Sequence, residues 1–66
     1  MRETEILELM RANPDSYIER TAGVYRLMKA SGECLGDQEL WYEHVDALLD
    51  VGHIVHQGRN RYVIAR

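Results

Sequence analysis

The sequence predicts a mainly helical fold that ends in a β-hairpin, with its elements in the order α-α-α-β-β. Apolar residues recur with the helical period of about 3.6 residues in three successive runs. Two β-branched runs, separated by Gly-Arg-Asn, close the chain and have the pattern of a hairpin. At 66 residues the chain forms a single domain, 1–66. A domain of this size is marginally stable and needs an efficient core.

The first helix is predicted over residues 3–12. Its apolar side chains fall on one side, and its charged side chains fall on the other. The apolar side consists of Ile6, Leu7, Leu9 and Met10. The helix ends before Pro14, because proline cannot continue the hydrogen-bond ladder and restricts the residue before it to extended conformations.

The run after Pro14 has two interpretations. Ser16 and Glu19 have the spacing of a capping box, which favours a helix that continues to about Ser31. One face of that helix would carry Tyr17, Thr21, Val24, Tyr25 and Met28. Gly23 costs about 1 kcal/mol inside a helix. We therefore predict the helix from about residue 21 and leave 16–20 open, with a short strand there as the alternative.

The third helix is the strongest prediction. Asp37 is a suitable N-cap, and Gly52 is placed where a C-terminal glycine ends a helix. The apolar face holds Leu40, Trp41, His44, Val45, Leu48 and Val51, with Trp41 expected in the core. The opposite face holds Glu39, Tyr42, Glu43, Asp46 and Asp50.

The hairpin is formed by the runs HIVHQ and RYVIA. Because side chains alternate between the two faces of a strand, Ile54, Tyr62 and Ile64 are expected to face the core. Val55 and Val63 would then face outward or cover an edge.

The stretch EHVDALLDVGHIVHQGRNRYVIAR resembles the third helix and wing of winged helix-turn-helix domains. The match is carried by Leu48, Leu49, Gly52, Ile54, Gly58, Tyr62 and Ile64. The resemblance covers the C-terminal part of the chain well and the first two helices in outline. It implies a winged helix whose third helix enters the major groove of double-stranded DNA while the wing follows the backbone or the minor groove. Two departures are the long loop at 32–36 and the acidic third helix.

Charge is distributed unevenly along the chain, whose net charge is −3. Residues 33–50 contain six acids and no lysine or arginine, whereas residues 51–66 contain three arginines and no acid. Carboxylates on the third helix would repel phosphates. Any DNA contact is therefore expected to depend more on the wing and the second helix than on the third.

The primary functional hypothesis is a small DNA-binding protein, a regulator of transcription or of a mobile element. Its expected contacts on the wing and second helix are Arg59, Arg61, Asn60, Gln57, Arg26 and Lys29. Residues matching the groove-facing positions of the third helix are Gln38, Glu39, Tyr42, Glu43 and Asp46. The alternative is that both sets are ordinary solvated surface, since arginine and asparagine are common in exposed turns.

The second hypothesis is a protein-interaction module. An exposed Tyr42 among carboxylates is a suitable anchor for a basic protein partner, and the same helix face could mediate a homodimer.

Other classes of function are not expected. His53 and His56 point to opposite faces of a strand, and no zinc-type spacing exists, so neither a metal nor a cofactor is predicted. Paired acids on a convex helix and the lone Cys34 do not form a catalytic pocket, so we predict that the protein is not an enzyme. The sequence lacks a membrane-length apolar run, and its single cysteine suits a reducing environment. We expect a cytoplasmic protein.

Overall fold

The protein, described by a computed structural model for residues 2–35 and 39–65, has an α+β fold. Its elements are α1 (Glu3–Ala12), β1 (Tyr17–Thr21), β2 (Val24–Met28), α2 (Tyr42–Asp50), β3 (Ile54–His56) and β4 (Arg61–Ile64). The strands form one antiparallel sheet in the order β2-β1-β4-β3. The prediction of a mainly helical α-α-α-β-β fold is therefore wrong, since the described residues form two helices and four strands.

Helix α1 has the predicted bounds and buries Ile6, Leu7 and Met10. Asn13 ends it, because its backbone N–H and its side-chain Nδ2 both donate to the carbonyl of Leu9, at 3.0 and 2.9 Å. These bonds satisfy a carbonyl that the end of the helix would leave unpaired.

The segment predicted as the second helix forms the β1–β2 hairpin instead. The strand considered as an alternative at 16–20 is present as β1, and β2 replaces the predicted helix. Ala22 and Gly23 form its two-residue turn, with φ angles of 52° and 79°. Positive φ at both turn positions is the geometry that matches the twist of two paired strands. Glycine adopts that geometry without steric cost. Gly23, which disfavours a helix, therefore favours the turn.

The spacing of apolar residues that suggested a helix in this segment arises from pairing across the hairpin. Tyr17 pairs with Met28, and Thr21 pairs with Val24, across the hairpin. Four of the five residues expected on one helix face thus lie on one sheet face as cross-strand neighbours, whereas Tyr25 pairs with Arg20 and lies on the other face. The capping box is also absent, because Glu19 accepts from the hydroxyl of Thr21 at 3.1 Å instead.

Helix α2 begins later than predicted. The backbone N–H of Leu40 donates to Tyr25 at 2.8 Å, so Leu40 pairs with β2 and Trp41 takes the N-cap position. Asp37, the predicted N-cap, lies outside the described residues. The predicted stop is confirmed: Gly52 has φ of 79°, and the bonds from Gly52 to Leu49 and from His53 to Leu48 form a Schellman motif.

The core lies where the two helices contact each other and the sheet. Its buried residues are Ile6, Leu7, Met10, Ile18, Leu27, Leu40, Val45, Leu48, Ile54 and Tyr62. The predicted C-terminal hairpin is confirmed, with Ile54 and Tyr62 buried, Ile64 half-buried and Val55 exposed. Its strand β4 also pairs with β1, which joins the two hairpins into one sheet.

Two residues predicted on the buried face of the third helix are exposed. The exposed fraction of Trp41 is 64%, and that of Val51 is 67%. Trp41 lies just before α2 and Val51 lies just after it. The helical spacing that would place their side chains on the buried face therefore does not apply to them.

Ser16 has a buried hydroxyl that has no hydrogen-bond partner among the described residues. An unsatisfied buried hydroxyl costs about 1–3 kcal/mol. We expect Ser16→Ala to raise the free energy of unfolding by about 1 kcal/mol, measured by urea denaturation. The exposed Ser31→Ala is the control and should stay within about 0.5 kcal/mol of the native protein. A loss of stability in Ser16→Ala would contradict the prediction.

Within the part of the chain that the structure describes, neither helix has the length and apolar character needed to cross a membrane.

Candidate protein-docking surface

The predicted DNA-binding residues lie on strands and turns rather than on a helix-turn-helix unit. Asn60 and Arg59 are exposed in the β3–β4 turn, between Gln57 and Arg61. Two further residues were expected on a second helix. Arg26 instead lies on β2, and Lys29 lies directly after that strand. Because the β1–β2 hairpin lies between α1 and α2, the described residues do not form a helix-turn-helix with α2 as its second helix.

Several basic side chains contact other residues of the same chain. The guanidinium carbon of Arg61 lies 4.3 Å from the centroid of the Tyr17 ring, which is a cation–π contact. Arg26 lies 3.9 Å from Glu39 in an exposed ion pair. Glu19 is in register with both arginines on neighbouring strands, so the row Arg26, Glu19, Arg61 has a net charge of only +1. These contacts reduce the positive potential available to phosphates.

The carboxylates of α2 are arranged differently. Glu43, Asp46 and Asp50 are all exposed. Residues three and four apart lie on the same side of a helix, so these three form one stripe. Among the described residues, none of the three has an ion-pair partner. The charge of the stripe is therefore not offset by an ion pair.

Two aromatic side chains stand at the beginning of this stripe. Tyr42 is 59% exposed, as predicted, and its neighbour Trp41 is 64% exposed. Tyr42 lies one helical turn before Asp46, on the same side of α2. We call Trp41, Tyr42, Glu43, Asp46 and Asp50 the acidic aromatic surface. Gln38, predicted on the same surface, lies outside the described residues, and Glu39 precedes Trp41 as an exposed residue paired with Arg26.

Trp41 is the surface residue that the sequence pattern missed. The pattern placed it on the apolar face because Val45 and Leu48 follow at helical spacing. A signal was nevertheless present in the chain. Leu40 precedes Trp41 and also fits an apolar face, and the structure buries Leu40 instead, with 4% exposed.

The remaining titratable residues that the structure describes do not form a second site. His44 is half-buried and its Nδ1 lies 2.8 Å from Oε2 of Glu3, which joins α2 to α1. Burial, followed by the hydroxyl of Tyr25, raises the pKa of Tyr62 above its ordinary value of 10.0, so this phenol stays neutral at physiological pH. Cys34 is exposed and lies 3.8 Å from the sulfur of Met28. In residues 2–35 and 39–65, His, Cys, Asp and Glu do not gather in a group of three that could hold a metal ion.

The acidic aromatic surface is therefore the strongest candidate functional site. Comparison with protein-family models, curated proteins and solved structures found no match to this chain.

Proposed function

We propose that the protein is an interaction module that binds a basic surface of another protein through its acidic aromatic surface. The observation that carries the proposal is the exposure of Trp41 and Tyr42 side by side in a domain whose other large apolar side chains are mostly buried or half-buried. Tryptophan and tyrosine are the residues that most often supply binding energy at protein interfaces.

The charge around the two aromatic residues selects the kind of partner. Glu43, Asp46 and Asp50 lie beside them on one side of α2, and among the described residues none of the three forms an ion pair with a lysine or arginine. A partner with arginine or lysine around an apolar pocket complements this surface in both charge and shape. A phosphate backbone does not, because it would meet the carboxylates directly.

The proposal describes a binding protein and not a catalyst, and it needs neither a metal nor a cofactor. It places the protein in the cytoplasm, where an exposed thiol such as Cys34 remains reduced.

DNA binding is the second candidate. The observation in its favour is the exposed β3–β4 turn with Arg59 and Asn60 at its tip and Arg61 beside it. Arginine on a hairpin can enter a minor groove. In this candidate, Arg59→Ala with Arg61→Ala weakens DNA binding.

One titration experiment separates the two candidates. A labelled Arg/Lys-rich peptide containing several leucines and a labelled random DNA duplex are each titrated with the protein at low and moderate salt. We expect the peptide to bind, to bind less tightly in salt, and to change the emission of Trp41, which is the only tryptophan. Binding of the duplex alone would overturn the proposal and favour the second candidate.

A pair of charge variants tests whether binding depends on the acidic stripe or only on net charge. Neutralising the stripe with Glu43→Gln and Asp46→Asn is expected to weaken peptide binding by about tenfold, because two charge-assisted contacts are lost. The matched control, Glu5→Gln with Glu8→Gln, removes the same charge from the exposed side of α1 and should leave peptide binding within about twofold. Equal losses in both variants would show that only net charge matters and would contradict a defined docking surface.

A further inference from the structure

The two edges of the sheet differ in how their backbone groups are satisfied. The outer edge of β2 is covered by the chain that follows it. Two backbone bonds join them, from the N–H of Leu35 to Leu27 and from the N–H of Leu40 to Tyr25, at 2.7 and 2.8 Å. Lys29, directly after β2, also donates its N–H to Glu33 at 2.7 Å. An edge covered in this way cannot accept another strand.

The edge formed by β3 is open. Gln57 donates to Arg61 at 2.8 Å, and Ala65 donates to His53 at 2.9 Å. Bonded and non-bonded pairs alternate along an antiparallel ladder, so Val55 is the residue of β3 that exchanges bonds with β4. The N–H and C=O groups of Ile54 and His56 therefore point away from β4. No backbone group of another described segment bonds to them.

We propose that this open edge pairs with the same edge of a second copy of the chain, antiparallel and with a two-fold axis at Val55. In this register Ile54 lies opposite the partner's His56, and His56 lies opposite the partner's Ile54. Each such pair exchanges both of its N–H···O bonds, so every free backbone group of the edge is used. The result is a sheet that continues across the dimer.

The side chains near the edge favour a second copy over another partner. Residues 51–58 contain no lysine, arginine, aspartate or glutamate, although the chain as a whole carries a net charge of −3. Two copies can therefore approach along this segment without like-charge contacts, which they cannot do along α2. Val55 is 45% exposed and would lie opposite the partner's Val55 in a non-hydrogen-bonded pair, where side chains are closest.

The edge has little protection against pairing apart from its shortness, since β3 is three residues long. Other natural edge strands carry lysine or proline, or are covered by a loop or helix. β3 has neither residue, and β2 at the other end of the sheet is covered. An isologous contact of this kind closes on itself as a dimer. The inference does not depend on the proposed function, because it involves β3 and not the acidic aromatic surface of α2.

Sedimentation equilibrium over a wide concentration range tests the proposal. We expect the mass to rise from the 7.7 kDa of one chain towards twice that value. His56→Pro should raise the dimer dissociation constant by about 30-fold, because it removes one edge hydrogen bond from each side of the two-fold axis. The fold should survive, since proline is tolerated on an edge strand where its missing N–H faces solvent. His56→Ala keeps the N–H and removes the ring beside Tyr62, so it is the matched control and should still dimerise.

A second pair of variants leaves the backbone unchanged. Val55→Lys places two positive charges at the two-fold axis and should also separate the dimer, whereas Ala30→Lys adds the same charge at an exposed position just after β2, the opposite edge strand, and should not. Amide hydrogen exchange supplies an independent readout. Ile54 and His56 should exchange more slowly at high protein concentration, whereas the amide of Val55 should be unaffected.

A single species of 7.7 kDa at every concentration would overturn the proposal. A dimer that persists in both His56→Pro and Val55→Lys would also overturn it. If such a dimer instead separates when Trp41 is replaced, self-association occurs through α2.

Discussion

Ile18→Ala is expected to leave most of the chain unfolded at room temperature. Ile18 is fully buried, and it pairs with Leu27 of β2 and with Tyr62 of β4, so it lies at the centre of the sheet. Truncating a buried isoleucine to alanine costs about 2–5 kcal/mol. A domain of this size has only about 3–5 kcal/mol of core stabilisation in total. The loss therefore approaches the whole stability of the fold.

Circular dichroism with thermal and urea denaturation measures this effect. The control is Val51→Ala, because Val51 is 67% exposed and contributes little to the core. Its free energy of unfolding should lie within about 0.5 kcal/mol of the native protein. If Ile18→Ala unfolds cooperatively with a similarly small loss, Ile18 does not occupy the centre of the core, and the pairing of β1 with both neighbours would be wrong.

Trp41→Ala and Tyr42→Ala are expected to have the largest effects on binding of the basic peptide. Each truncation should weaken binding by about 30-fold, which corresponds to about 2 kcal/mol, the usual cost of removing an aromatic residue that dominates an interface. Both side chains are mostly exposed, so neither change should reduce the free energy of unfolding by more than about 0.5 kcal/mol. The combination of lost binding and retained stability distinguishes an interface residue from a core residue.

Anisotropy of the labelled peptide measures the affinities, and the Val51→Ala protein again serves as the control, since Val51 is an exposed apolar residue at the other end of α2. Trp41→Phe should recover part of the affinity lost in Trp41→Ala. Affinity losses below about threefold in both alanine variants would show that the aromatic residues do not anchor the partner, and would leave charge alone to explain binding.

Several elements could be predicted from residues that are close together in the sequence. The bounds of α1 follow from its amphipathic period and from Pro14, and the stop at Gly52 follows from the glycine preference for positive φ. The C-terminal hairpin follows from two β-branched runs and a short turn. These features depend on neighbours in the sequence, so a single sequence predicts them.

The candidate site was predicted in part. Periodicity within α2 places Tyr42, Glu43 and Asp46 outside, and the structure confirms their exposure. The position of Trp41 was wrong because the helix begins one residue after it. That start depends on the bond from Leu40 to Tyr25, which joins residues far apart in the sequence and which helical spacing does not reveal.

Local periodicity, turn chemistry or charge governs α1, the end of α2, the closing hairpin and the acidic stripe, so all four can be predicted from the chain. The hairpin at residues 17–28 and the exposure of Trp41 depend instead on contacts between distant parts of the chain. The spacing of Tyr17, Thr21, Val24 and Met28 suits one face of a helix and one face of a hairpin alike. Pairing of β1 with β4 resolves the ambiguity, because a strand at residues 17–21 satisfies backbone groups on both sides and buries Ile18 between Leu27 and Tyr62.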